Sequence, residues 1–139
     1  MSSVVALAVI GPLVAAGFAL AVPNRPRLRD AITMTGLVGT TLAAIALLIS
    51  VRRDGAVVVR LGGWSPDLGI VLVADLFAAL ILVVAISTIL VVEVFSIGQR
   101  GSAAGADPKI VGPMLLVMTG GVSLAILTGD LFTLFVAFE

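Results

Sequence analysis

The chain has 139 residues, of which 60% are apolar and only 12% charged, and its mean hydropathy is +1.29. Soluble domains carry roughly a quarter charged residues, so this chain lacks the polar surface to cover a core in water, and a bilayer is the solvent that suits it. The formal charge is zero and both Cys and His are absent, which leaves no basic surface for nucleic acid, no thiolate or imidazole metal site and no histidine proton shuttle.

The first apolar run, Val4 to Val22, is about long enough to span at roughly 20 residues per crossing. Ala19-Leu20-Ala21 resembles a signal cleavage site, but Met1-Ser2-Ser3 carries no basic residue and Arg25, Arg27 and Arg29 follow the run. That charge order predicts a retained anchor with its N-terminus outside. Pro23-Asn24-Arg25-Pro26 breaks the first helix. A second is predicted from about Ala31 to Val51, with Asp30 as N-cap and Arg52-Arg53-Asp54-Gly55 as its stop. Ala56 to Leu61 is short and β-branched and runs into Gly62-Gly63-Trp64-Ser65-Pro66. It reads as a short extended or hairpin element at the membrane surface, with Trp64 at headgroup level. A third helix is expected from about Leu68 to Val92. A polar loop, Ser96 to Asp107, then leads to a fourth that opens at Pro108 and ends near Leu127. Thr128-Gly129-Asp130 is a tight connector, and Leu131 opens a fifth apolar run that reaches Glu139.

The expected fold is therefore an all-α membrane protein: four complete transmembrane helices, the first half of a fifth, and a short extended element between helices two and three. Arg25, Arg27, Arg29, Arg100 and Lys109 fall in the first and third loops, against Arg52, Arg53 and Arg60 in the second. The larger group predicts a cytoplasmic side for loops one and three and an external N-terminus. No separate soluble domain is expected.

Most charges lie in loops, where solvation is the ordinary reading. Glu139 stands eight residues beyond Leu131, roughly 12 Å below the interface of a core about 30 Å thick. A carboxylate at that depth costs about 2.5–3.5 kcal/mol on insertion scales. Glu139 is therefore expected to face a bundle interior, as a proton or cation site or as a packing pair across helices. Asp75, about two turns into the expected third helix, suits an ion path, an interface with another subunit or a shallow hydrated acid. Asp130 suits a helix N-cap first and an ion path second. Glu93 closes helix three and reads as solvated. Small residues recur at four-residue spacing in Ala15/Ala19, Gly36/Thr40 and Gly121/Ala125, which permits close helix contact. Phosphate loops, nucleophile constellations and zinc motifs are absent, so no cofactor is expected.

Two stretches carry a resemblance. Gly69-Ile70-Val71-Leu72-Val73-Ala74-Asp75 resembles the start of helix three in the D subunit of Mrp-type multisubunit sodium/proton antiporters. Leu127-Thr128-Gly129-Asp130-Leu131-Phe132-Thr133-Leu134-Phe135-Val136-Ala137-Phe138-Glu139 resembles the junction of helices four and five in the same family, with Thr133 where members usually have Asn. The family extends to antiporter-like subunits of the respiratory NADH dehydrogenase and of membrane-bound hydrogenases. The resemblance implies that this chain is the N-terminal portion of a longer subunit of a bacterial cytoplasmic membrane complex. It implies partner subunits, exchange of Na+ for protons, and a proton-pathway role for Glu139 coupled to a lysine on a later helix. Two other readings stand beside it: a subunit of a redox-driven proton pump, and a small accessory membrane protein with a packing role only.

Overall fold

The computed structural model describes residues 2–22, 24–60, 70–99 and 108–139. Five helices and one pair of strands make up this part: α1 (Ser2–Leu20), α2 (Pro26–Asp54), β1 (Val57–Arg60), β2 (Val71–Ala74), α3 (Leu76–Gly98), α4 (Pro108–Leu127) and α5 (Leu131–Phe138). α1 to α4 are each long and apolar enough to cross a membrane, and α5 is a shorter fifth helix. The strands β1 and β2 pair antiparallel, Val57 opposite Ala74 and Arg60 opposite Val71. This is the extended element expected between helices two and three. The stretch around Trp64 lies outside the described residues.

Two boundaries differ from the sequence reading. α2 starts at Pro26, not Ala31: proline has no N–H to lose at the first helical position, where that N–H has no intrahelical acceptor. Asp30 therefore lies inside α2, and the N-cap position belongs to Arg25, which makes no side-chain cap bond. α3 starts at Leu76, not Leu68, because Val71 to Ala74 pair with β1. β-branched Val71 and Val73 favour a pleated neighbour over helical crowding. α3 then runs past Val92 to Gly98. α2 ends at Asp54 and is capped by Gly55, whose φ of +84° is open to glycine and whose N–H donates to Val51 O at 3.0 Å.

α1 packs against α2 and α4, α2 also against α3, α3 against α4, and α5 against α4. One apolar cluster gathers at the strand end, with Val5 and Ala8 of α1, Leu47 and Val51 of α2, Val59, Leu72, and Leu82 of α3. A second lies toward the α1–α2 turn, with Ala16, Ala19, Leu37, Ile89 and Leu116. Large apolar side chains such as Leu42, Phe77, Val91 and Phe95 point outward, as they do on a surface bathed in lipid tails. Helices in lipid gain little from further apolar burial, so they associate where small residues let backbones approach. Gly36 is such a point: a Cβ there would sit 2.9 Å from Ala15 Cβ and 3.0 Å from Leu116 Cδ2. Ala15 cannot rotate its methyl away. Gly36→Ala is expected to push α1 from α2 and to destabilise the fold by about 1–3 kcal/mol, the usual cost of overpacking. Thermal melting of the purified protein in detergent measures it, and an unchanged midpoint would contradict the close approach.

Candidate functional site

The polar residues of the fold gather at two ends. At the strand end Asp75 is extended, with ψ at 178°, and its carboxylate accepts the Ala78 N–H at 2.7 Å as the N-cap of α3. It is exposed, so the expected position two turns inside a helix is corrected: the residues before it are strand. Asp130 caps α5. Its carboxylate accepts the N–H of Phe132 at 2.8 Å, the N–H of Thr133 at 3.0 Å and the Thr133 hydroxyl. These donors, the Thr133 hydroxyl first and the two N–H groups after it, hold its pKa below the usual carboxylate value against a small opposing effect of burial.

The two caps share one scaffold. Gly129 N–H donates to Val71 O at 2.8 Å, and Thr128 bridges to Leu72, so the α4–α5 connector lies along the edge of β2. Gly129 suits this approach, since a Cβ would come within 2.8 Å of Val73 Cγ2. Beside the connector a groove of about 460 Å³ is lined by Asp75, Phe77, Ile81, Ile126, Thr128 and Gly129. Each aspartate caps its own helix, and Asp75 also lines the groove beside the connector.

Glu139 lies apart from both aspartates. It follows the last residue of α5, its N–H donates to Phe135 O at 3.3 Å, and it is exposed in this chain. α5 rests on α4 where Gly121 leaves room: a Cβ there would lie 3.2 Å from Ala137 O. The buried residue of α5 is Thr133.

At the opposite end the structure buries charge that the sequence reading left in water. Glu93 has no exposed surface and Arg29 is 3% exposed. Glu93 is therefore not a solvated helix end, and Arg29 is not a loop residue. α3 continues beyond Glu93, and Leu82, Ile86, Ile89 and Glu93 share one buried stripe. α2 begins before Arg29, and Arg29, Thr33, Leu37, Thr40 and Ala44 share another. The Arg29 guanidinium lies 3.8 Å from the Asp30 carboxylate. Thr33 Oγ1 and Glu93 Oε1 converge on α4, at 2.9 and 3.4 Å from where a Cβ of Gly112 would be. The signal was present in the three- and four-residue spacing, once each helix is given its full length. Among the described residues no three Asp or Glu side chains group to hold a metal ion.

Comparison with known proteins gives this arrangement its context. Over its whole length the chain is 36% identical to the D subunit of the Na(+)/H(+) antiporter of Alkalihalophilus pseudofirmus and 33% identical to that of Bacillus subtilis, spanning 28% of each. The fold matches a chain of the Mrp complex from Dietzia sp., with a TM-score of 0.87 and 34% identity over 98% of this chain and 25% of that one. The chain is a homologue of the antiporter D subunit. It also matches a chain of the membrane-bound sulfane sulfur reductase, an archaeal respiratory membrane complex, with a TM-score of 0.80 and 28% identity, over 98% of this chain and 28% of that one. No protein-family model matches. The chain thus spans little more than a quarter of the curated relatives' length. With four candidate spans and bacterial relatives, this D-type homologue is a multi-pass protein of the bacterial cytoplasmic membrane.

Because the folded-state pKa of Asp130 is lowered, its cap is fully formed above the ordinary carboxylate pKa and is lost only as pH falls through the lower folded value. Hydrogen exchange at the Phe132 and Thr133 amides should therefore stay slow across the physiological range. It should accelerate in Asp130→Ala and stay near the native rate in Asp130→Asn, which keeps a cap acceptor. Equal rates in Asp130→Ala and the native chain would contradict the cap.

Proposed function

We propose that this chain is the N-terminal portion of a D-type subunit in a multisubunit Na+/H+ antiporter, with the strand end outside and the α1–α2 turn in the cytoplasm. The single observation that carries the reading is the likeness of the whole chain to its D-type relatives. A structural observation supports it: α5 starts at an Asp130-capped connector, and eight residues of helical rise separate Glu139 from Leu131 by roughly 12 Å. The basic residues Arg25 and Arg27, both exposed at the α1–α2 turn, support the cytoplasmic side by the positive-inside rule.

In this reading Glu139 takes up and releases a proton near mid-membrane. Its surroundings are completed by further helices of the subunit, which would cover the outward Leu131, Phe132, Phe135 and Phe138 of α5. A buried acid at that depth changes its charge state rather than bearing the full cost of ionisation in hydrocarbon. No bond is made or broken beyond the proton's own, and partner subunits supply the rest of the ion route.

Likeness to the archaeal respiratory complex favours a second reading, an antiporter-like subunit in a redox-driven membrane arm. Co-purification with flavin and iron–sulfur subunits would distinguish it.

Glu139→Gln, made in the complete subunit, should leave the complex assembled, abolish most sodium-driven proton movement in everted membrane vesicles and leave cells sodium-sensitive. Sodium resistance retained by that mutant would remove Glu139 from the pathway. Loss of assembly would favour a packing role.

A further inference from the structure

We propose that Glu93 is a second proton-binding site, at the junction of α2, α3 and α4 and at the other end of α3 from Asp75. The inference deepens the antiporter reading, but its chemistry is tested without it.

The argument begins with Thr33. Threonines inside helices usually return their hydroxyl to the carbonyl four residues back. Thr35, Thr40, Thr41, Thr88 and Thr119 all do so here, at 2.6 to 2.8 Å. Thr33 is fully buried and does not: its hydroxyl has no hydrogen-bond partner. Instead Oγ1 is turned to the face of α4 at Gly112, the same face that Glu93 Oε1 approaches. A buried hydroxyl left without a partner costs about 1–3 kcal/mol, so its orientation needs a purpose. A hydroxyl both donates and accepts. It suits a neighbour that is a carboxylate in one state and a carboxylic acid in the other.

The elements packed about Glu93 carry few other charged residues. α2 contributes Arg29, 3% exposed, and Asp30, whose side chain is 21% exposed. α4 carries Lys109 one turn before Gly112, and α1 carries no charged residue. Arg29, Asp30 and Glu93 are all engaged in interactions. Arg29 stays cationic in either state. Glu93 stands five residues before the end of α3, roughly 7–8 Å inside that helix terminus. Asp30 is the member nearest the surface, so a proton arriving on water from the α1–α2 end meets it first. At Glu93 the transfer forms one O–H bond on the carboxylate and breaks one on the hydronium that delivers it. The Thr33 hydroxyl, which has no partner in the structure, is able to donate to the carboxylate or accept from the acid.

Infrared difference spectroscopy of the purified complex, stepped in pH, reads this directly. The native complex should show a buried carboxylic acid carbonyl band that titrates. Glu93→Gln should lose the band, and Thr33→Val, which keeps the side-chain shape, should shift its frequency. A band unchanged in Glu93→Gln overturns the proposal. Should that variant not assemble, Thr33→Val decides: a displaced band supports the site and an unmoved one overturns it. The antiporter reading fails separately, if the native complex moves no protons in response to sodium while the Glu93 band still titrates.

Discussion

Hydrocarbon offers no hydrogen bonds, so every main-chain N–H and carbonyl inside the membrane must be satisfied within the chain itself. Most of this fold answers that constraint. The four long spans are helices because a helix satisfies its own backbone. The strands lie between spans, where β1 pairs with β2 and the α4–α5 connector adds to the open edge. α3 and α5 begin with an aspartate that takes up otherwise unpaired N–H groups. Pro12 and Pro113, which each withhold an N–H from a helix interior, sit in α1 and α4 where both are buried against neighbouring helices.

Association of those helices follows a different rule. The outward faces are as apolar as the inward ones, so burial cannot tell the helices which way to turn. Small residues and polar side chains do. Gly36 admits α1, Gly112 admits Thr33 and Glu93, and Gly120 lies under Leu13, where a Cβ would come within 2.6 Å of Cδ2. Among the described residues, the buried polar side chains of the spans, from Arg29 and Thr33 to Thr119 and Ser123, all lie on the faces that α2, α3 and α4 turn inward. These polar side chains are set among apolar neighbours on the packed faces, where one helix meets another rather than lipid.

What was legible in the sequence was whatever hydropathy and turn chemistry decide alone: the number of spans, the extended element, the Pro108 start of α4 and the Asp130 cap. Two things were not. Val71 to Ala74 are apolar enough to pass for helix, and only pairing with β1 makes them β2. Arg29 and Glu93 looked solvated because the helices were drawn too short, which moved both residues to the ends. Hydropathy weighs a charged residue as a stop signal, whereas periodicity would have kept it on the buried stripe. Glu139 stood out because its run has no other charged residue and Thr133 as its one polar member, so a single carboxylate had nothing to hide behind.

The main-chain bond from Gly129 to Val71 makes the connector that leads into α5 an extension of a sheet. β2 in turn leads, through Asp75 alone, into α3. α3 and α5 are thus mounted on one frame at the strand end. The entry angle of α5 and that of α3 are therefore set by the same short piece of sheet, so a change that displaced β2 would be felt at the start of both helices.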